Sequence, residues 1–136
     1  MAHKFDFDLG NKIIRCRIDG TVTDGSLRKY YSACSNYGAL NPTYAGLFDM
    51  SAVTFFAVST QTIRELAMLP PAIPDPDVLR VIVAGSPQMF GLARMFDLHG
   101  SETRPNLHVV RTEKEAWEIL GVGEAKFVER PEPLLP

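Results

Sequence analysis

The sequence predicts an α/β fold: a mixed five-stranded sheet that opens with an antiparallel hairpin and carries about four helices. Three stretches predict it. Val78 to Ala84 is a β-branched apolar run too short for a helix, so it reads as a strand buried on both faces. Gly85 breaks the run, Ser86 and Pro87 supply an N-cap and a first helical residue, and Met89, Leu92, Ala93 and Phe96 then recur at helical spacing, with Phe90 beside them. At the other end of the chain, Phe5 and Phe7 alternate with Lys4, Asp6 and Asp8, the pattern of a strand with one wet face. Near the C-terminus, Thr112 to Glu115 has the spacing of a capping box.

Taken in order, Lys4 to Leu9 and Lys12 to Asp19 are strands joined by Gly10-Asn11 as a two-residue turn. Gly20 ends the second, and Thr23 or Asp24 caps a helix from about Gly25 to Asn36 with Leu27, Tyr30, Tyr31 and Cys34 on its apolar face. Residues 38–42 read as a loop and Tyr44 to Asp49 as the third strand, followed by an apolar connector, Ala52 to Val58. Ser59, Thr60 and Thr62 are all N-cap candidates for a helix ending near Leu69, and the prolines from Pro70 to Pro76 make a stiff link. The Val78 to Phe96 unit follows and closes near His99-Gly100. Leu107 to Val110 is the last strand, and the final helix runs from the Thr112 box to Leu120, stopped by Gly121. A chain of 136 residues suits one domain, with its core over about 4–121 and an extended, proline-containing tail over 122–136.

Composition narrows the functional classes. An apolar fraction of 46% with 22% charged residues is that of an ordinary globular chain, and a net charge of -2 with scattered Lys and Arg offers no basic stripe for nucleic acid. The longest unbroken apolar runs fall far short of a membrane span, and no secretory signal is visible at the N-terminus, so a cytoplasmic location is expected. Cys16 and Cys34 sit on apolar faces and read as core residues rather than a disulfide pair. The three histidines, His3, His99 and His108, lack a second ligand at metal spacing, and no cofactor motif is present. No complete catalytic motif appears either; Asp49, Ser59 and His108 are the residues an enzymatic reading would turn to. Ser59 at a helix N-terminus is also a candidate phospho-acceptor, because an added phosphate there meets the positive end of the helix.

The run Leu47-Phe48-Asp49-Met50-Ser51-Ala52-Val53-Thr54-Phe55-Phe56 resembles the STAS domains of anti-sigma-factor antagonists. So does the opening hairpin leading through Ile18-Asp19-Gly20-Thr21-Val22-Thr23 to a helix. Val81-Ile82-Val83-Ala84 with Phe90 to Phe96 is more similar to a STAS-like offshoot of uncharacterised bacterial proteins grouped with the CRAL-TRIO-type lipid-binding fold. The resemblance implies a non-enzymatic regulatory or protein-interaction module, expected to form a homodimer. The Asp-Ser-Ser-Gly phosphorylation motif of the antagonists falls on Ala57, Val58, Ser59 and Thr60, so only its second serine is present.

Two surfaces follow as expectations. Val53, Phe55, Phe56 and Val58 on the apolar connector would form a sticky surface for a protein partner or second copy. Alternatively Phe55, Phe56, Met89, Phe90 and Phe96 would line a pocket for a small apolar, lipid-like ligand between sheet and helices.

Overall fold

A computed structural model describes residues 3–129. The chain begins with β1 (His3–Asp8) and β2 (Ile13–Thr23), paired antiparallel with Asp8 opposite Ile13. Four residues rather than two make the turn. Asp8 accepts hydrogen bonds from the Asn11 backbone and side-chain nitrogens at 2.9 and 2.7 Å, which closes a wider turn and places Lys12 in the left-handed region.

β2 also runs further than Gly20. This glycine takes φ +69° inside a register irregularity, and the strand continues on its far side to Thr23. Thr23 then caps α1 (Asp24–Leu40), exchanging hydrogen bonds with Ser26. The helix passes through Gly38 instead of stopping before it, because a bare Cα lets the helix touch the backbone of the 72–73 segment. A Cβ at Gly38 would lie 2.0 Å from the Ala72 carbonyl oxygen.

β3 (Ala45–Ala57) corrects the reading of Ala52 to Val58 as a connector: it is the second half of one long strand. Its first half pairs with β4 (Arg80–Val83) as well as with β2, whereas residues 52–57 pair with β2 alone. Ser59 caps α2 (Thr60–Met68), and Ser86 caps α3 (Pro87–Gly100) with Pro87 in its first turn. β5 (Leu107–Val110), then α4 (Glu113–Leu120) between the Thr112 cap and a left-handed Gly121, lie where the sequence puts them.

A sixth strand, β6 (Val128–Glu129), goes beyond the five the sequence predicts; it pairs antiparallel with Asp6 and Phe7, so among the described residues the sheet has six strands in the order β5-β4-β3-β2-β1-β6. The pairings of β2 with β3, β3 with β4 and β4 with β5 are parallel, and the two at the other end of the sheet, β2 with β1 and β1 with β6, are antiparallel. The rest of the proline-containing tail, from residue 130 on, lies outside the described residues.

Alternation along the strands separates two cores. Ile14, Cys16, Ile18, Phe48 and Ile82 face α1, α2 and α3, while Ile13, Leu47, Val81 and Val83 face α4. No helix among the described residues is long and apolar enough to cross a membrane.

Candidate functional site

The larger core is not filled. Between the sheet and helices α1–α3 lies a cavity of about 90 Å³. Its sheet wall carries Phe48, Met50, Phe56 and Ile82, the inward-facing residues of β3 and β4. The helix wall carries Leu27 and Tyr30 from α1, Ile63 and Leu66 from α2, and Met89, Ala93 and Phe96 from α3. Each of these contributes through ordinary amphipathic spacing, so the packing that builds the core also builds the cavity.

One part of the lining is polar: Arg80, Arg104 and Tyr31. Arg80 is the first residue of β4 and shares its inward face with Ile82, so its side chain enters the helix layer. It is 2% exposed and donates to the carbonyls of Ile73, Asp75 and Val78 in the proline-rich link. Its Nε is buried with no hydrogen-bond partner among the described residues. Arg104 is 3% exposed, donates to the Ala67 and Leu69 carbonyls at the end of α2 and to the Tyr31 hydroxyl, and lies 4.7 Å from the Phe96 ring centre. Tyr31 in turn donates to the Pro70 carbonyl. Burial lowers the proton affinity of Arg80, and the neighbouring Arg104 charge adds to that effect. Neither arginine forms an ion pair with a carboxylate among the described residues.

Of the residues expected to line an apolar pocket, Phe56, Met89 and Phe96 do so. Phe55 and Phe90 do not. Phe55 neighbours Phe56 on a strand and therefore points to the opposite side, where it is 63% exposed. Phe90 is half-buried beneath the Arg111 guanidinium, 4.5 Å from its ring centre. The same alternation divides the expected interaction surface. Phe56 and Val58 are buried, Val53 is half-buried, and Phe55 alone of the four is fully outward.

Ser59 is exposed at the α2 N-terminus. Its hydroxyl accepts from the Thr62 backbone nitrogen, and its own backbone nitrogen donates to Asp24 at 2.7 Å. Asp49 and His108 are not neighbours. Asp49 pairs with Val83 and Val83 with Val110, which puts His108 two strands and two residues away. Ser59 lies beyond the end of β3, so the three residues form no common constellation.

Asp49 has a different partner. On the α4 face its carboxylate shares a proton with Glu113 of the first α4 turn and accepts from the Ser51 backbone nitrogen at 2.9 Å. The hydrogen bond with Asp49, together with burial, pushes Glu113 from 4.5 up to about 7. Burial opposes charge on Asp49 too, yet the hydrogen bonds from Glu113 and Ser51 and the Arg15 charge prevail and hold it below its usual value. Beside this pair, Arg15 grips Asp6 through Nε and Nη2 at 2.9 and 2.8 Å, and Arg17 adds a third contact at 3.0 Å. Phe127 stacks on the Arg15 guanidinium at 3.9 Å. These groups neutralise one another and form a cross-strand network over which the C-terminal segment closes.

Among the described residues no group of three or more His, Cys, Asp or Glu is arranged to hold a metal ion. Comparison with known proteins returns no matching family model and no matching curated protein, so the chemistry of the cavity has to carry the functional reading.

The sequence pointed to the apolar half of this site and missed its polar pole. A signal for Arg80 was present, as a single charge inside an otherwise apolar strand; Arg104, in the turn after α3, gave none.

Proposed function

We propose that the chain is a STAS-like, non-enzymatic binding module that holds a small apolar ligand in the cavity between the sheet and helices α1–α3. The observation that carries this reading is the unfilled space itself, lined by Phe48, Met50, Phe56, Met89 and Phe96 at the centre of the larger core. Protein interiors pack to crystalline density, so a void there forfeits dispersion contacts that an apolar occupant restores. Met50 and Met89 are unbranched and adaptable, which lets the walls follow an occupant's shape.

Titration calorimetry with 1-hexanol tests the reading, with Ala93→Leu as the filled control. Ala93 lines the cavity and is 5% exposed, so the added branch occupies ligand space. Saturable one-to-one binding with a negative heat-capacity change is expected for the wild type, and its loss in a folded Ala93→Leu. Absence of binding to the wild type would sink the proposal.

A second reading, a protein-interaction module that pairs with a partner or a second copy, is favoured by Phe55. This large ring stands 63% exposed on the half of β3 that pairs with β2 alone. Phe55→Ser that leaves self-association and partner capture unchanged removes that role.

A further inference from the structure

Two buried cations at one pole of an apolar cavity narrow the chemistry of its occupant. Taking a guanidinium out of water is unfavourable unless its charge is balanced, and backbone carbonyls supply dipoles but no counter-charge. Arg80 and Arg104 are 2% and 3% exposed, Arg104 lies close enough to disfavour the charge on Arg80, and neither has a carboxylate ion pair among the described residues. The Asp75 carboxylate acts on Arg80 only at longer range; its backbone carbonyl, not its carboxylate, accepts from Arg80. The contrast with the other face of the sheet is direct. There Arg15 and Arg17 have the Asp6 carboxylate as counter-charge, although Arg17 keeps its own Nε unpartnered among the described residues, whereas here two arginines share no carboxylate.

The arginines differ in what they still lack. Arg104 spends Nη1 and Nη2 on the end of α2 and on Tyr31. Arg80 has its terminal nitrogens engaged by the 73–78 link but keeps Nε buried and unpartnered among the described residues. A buried donor without an acceptor is rare in a folded protein and costs its full desolvation penalty. The Arg80 side chain lines the cavity, whose wall is almost wholly apolar, so a head group meets Nε only once the guanidinium turns toward it.

Resting on the apolar-ligand reading above, we infer that the cavity takes a short-chain monocarboxylate, with its carboxylate at the Arg80–Arg104 pole and its chain between Phe56, Met89 and Phe96. A guanidinium forks onto carboxylate and phosphate alike, so charge makes the choice: one negative charge is what the pole accommodates beside Asp75, which favours a carboxylate over a head of higher charge. Size limits the chain. About 90 Å³ is less than the ~150 Å³ of an engineered cavity that holds benzene, so the chain is short, and one of six carbons needs the adaptable Met50 and Met89 walls to give way.

The test compares heads on one chain in the wild-type protein: hexanoate, 1-hexanol, hexylamine and hexyl phosphate, each titrated by calorimetry, with the Arg80 Nε–H followed by nitrogen-15 NMR. Hexanoate is expected to bind at least tenfold more tightly than 1-hexanol, hexylamine not at all, and only the carboxylate should shift the Arg80 Nε resonance strongly. Equal binding of hexanoate and 1-hexanol would overturn the inference while leaving the apolar-ligand reading standing. Tighter binding of hexyl phosphate than of hexanoate would overturn the choice of head. No binding by any of the four would overturn both. Because the comparison is made on the unaltered chain, loss of the carbonyl clamps that Arg80 and Arg104 provide does not confuse it.

Discussion

Replacing Glu113 by Gln should make the protein clearly more stable at pH 8 and change it only slightly at pH 5. In the unfolded chain Glu113 titrates at its ordinary 4.5; in the fold, sharing a proton with Asp49, it titrates at about 7. Between those values the fold binds more protons than the unfolded chain, so the unfolding free energy falls as pH rises. The contribution is whole below 4.5 and gone above about 7. Asp49, whose value is lowered, acts only at pH below its ordinary 3.8 and leaves this window untouched. A rise from 4.5 to about 7 corresponds to roughly 3 kcal/mol between the two protonation states. The Glu113 side chain is 39% exposed, and solvent screening reduces that to about 1 kcal/mol. A glutamine amide donates to Asp49 at every pH. It forfeits only the 4.0 Å contact of Glu113 with Arg15, worth a few tenths of a kcal/mol at most at such a half-exposed position. Urea unfolding at pH 5, 6, 7 and 8 reads the difference, since about 1 kcal/mol moves the midpoint by roughly 0.5 M at an ordinary slope. A gain of the same size at pH 5 and pH 8, or no gain at pH 8, would refute the shared proton.

Further outcomes follow from single contacts. Gly38→Ala should cost about 3 kcal/mol or more by urea unfolding, because its Cβ meets backbone at 2.0 Å and α1 must move away from residues 72–73; a loss below about 1 kcal/mol would show that the contact relaxes freely. Asp6→Asn should cost roughly 3 kcal/mol, since it leaves the half-buried Arg15 without its two-pronged partner; a neutral result would mean that Arg15 finds water instead. Phe55→Ser should change stability by no more than about 0.5 kcal/mol, because the ring is 63% exposed. Cys16 should react with thiol reagents only at the rate of unfolding, since burial, with Cys34 beside it, pushes its thiol well above the ordinary range; fast labelling of the native protein contradicts this.

What could be read from the sequence was what local chemistry decides. Ser86-Pro87, the Thr112 box and Gly121 each fix a helix end through their own side chains or backbone freedom, and each lies where expected. The β-branched runs at 80–83 and 107–110 are strands for the same reason. The second half of β3 was not legible, because Asp49-Met50-Ser51 looks like a stop and only pairing with β2 beyond Gly20 carries the strand to Ala57. β6 depends wholly on partners more than a hundred residues earlier in the chain.

The cavity shows the same division. Helical and strand periodicity named Phe56, Met89 and Phe96, but naming the adjacent pair Phe55 and Phe56 overlooked that neighbours on a strand face opposite ways. Arg80 and Arg104 come together across 24 residues of sequence, through the proline-rich link and the end of α2, and no local pattern encodes that meeting.

The central claim is that the space between the sheet and α1–α3 receives a ligand, and methyl-resolved NMR during a titration with 1-hexanol tests it most directly. The account predicts saturable shifts in the methyls of Leu27, Ile63, Leu66 and Ile82, which line the cavity, with Ile13, Leu47, Val81 and Val83 on the α4 face unmoved. Shifts confined to the α4 face, or none at any concentration that leaves the protein folded, would contradict it.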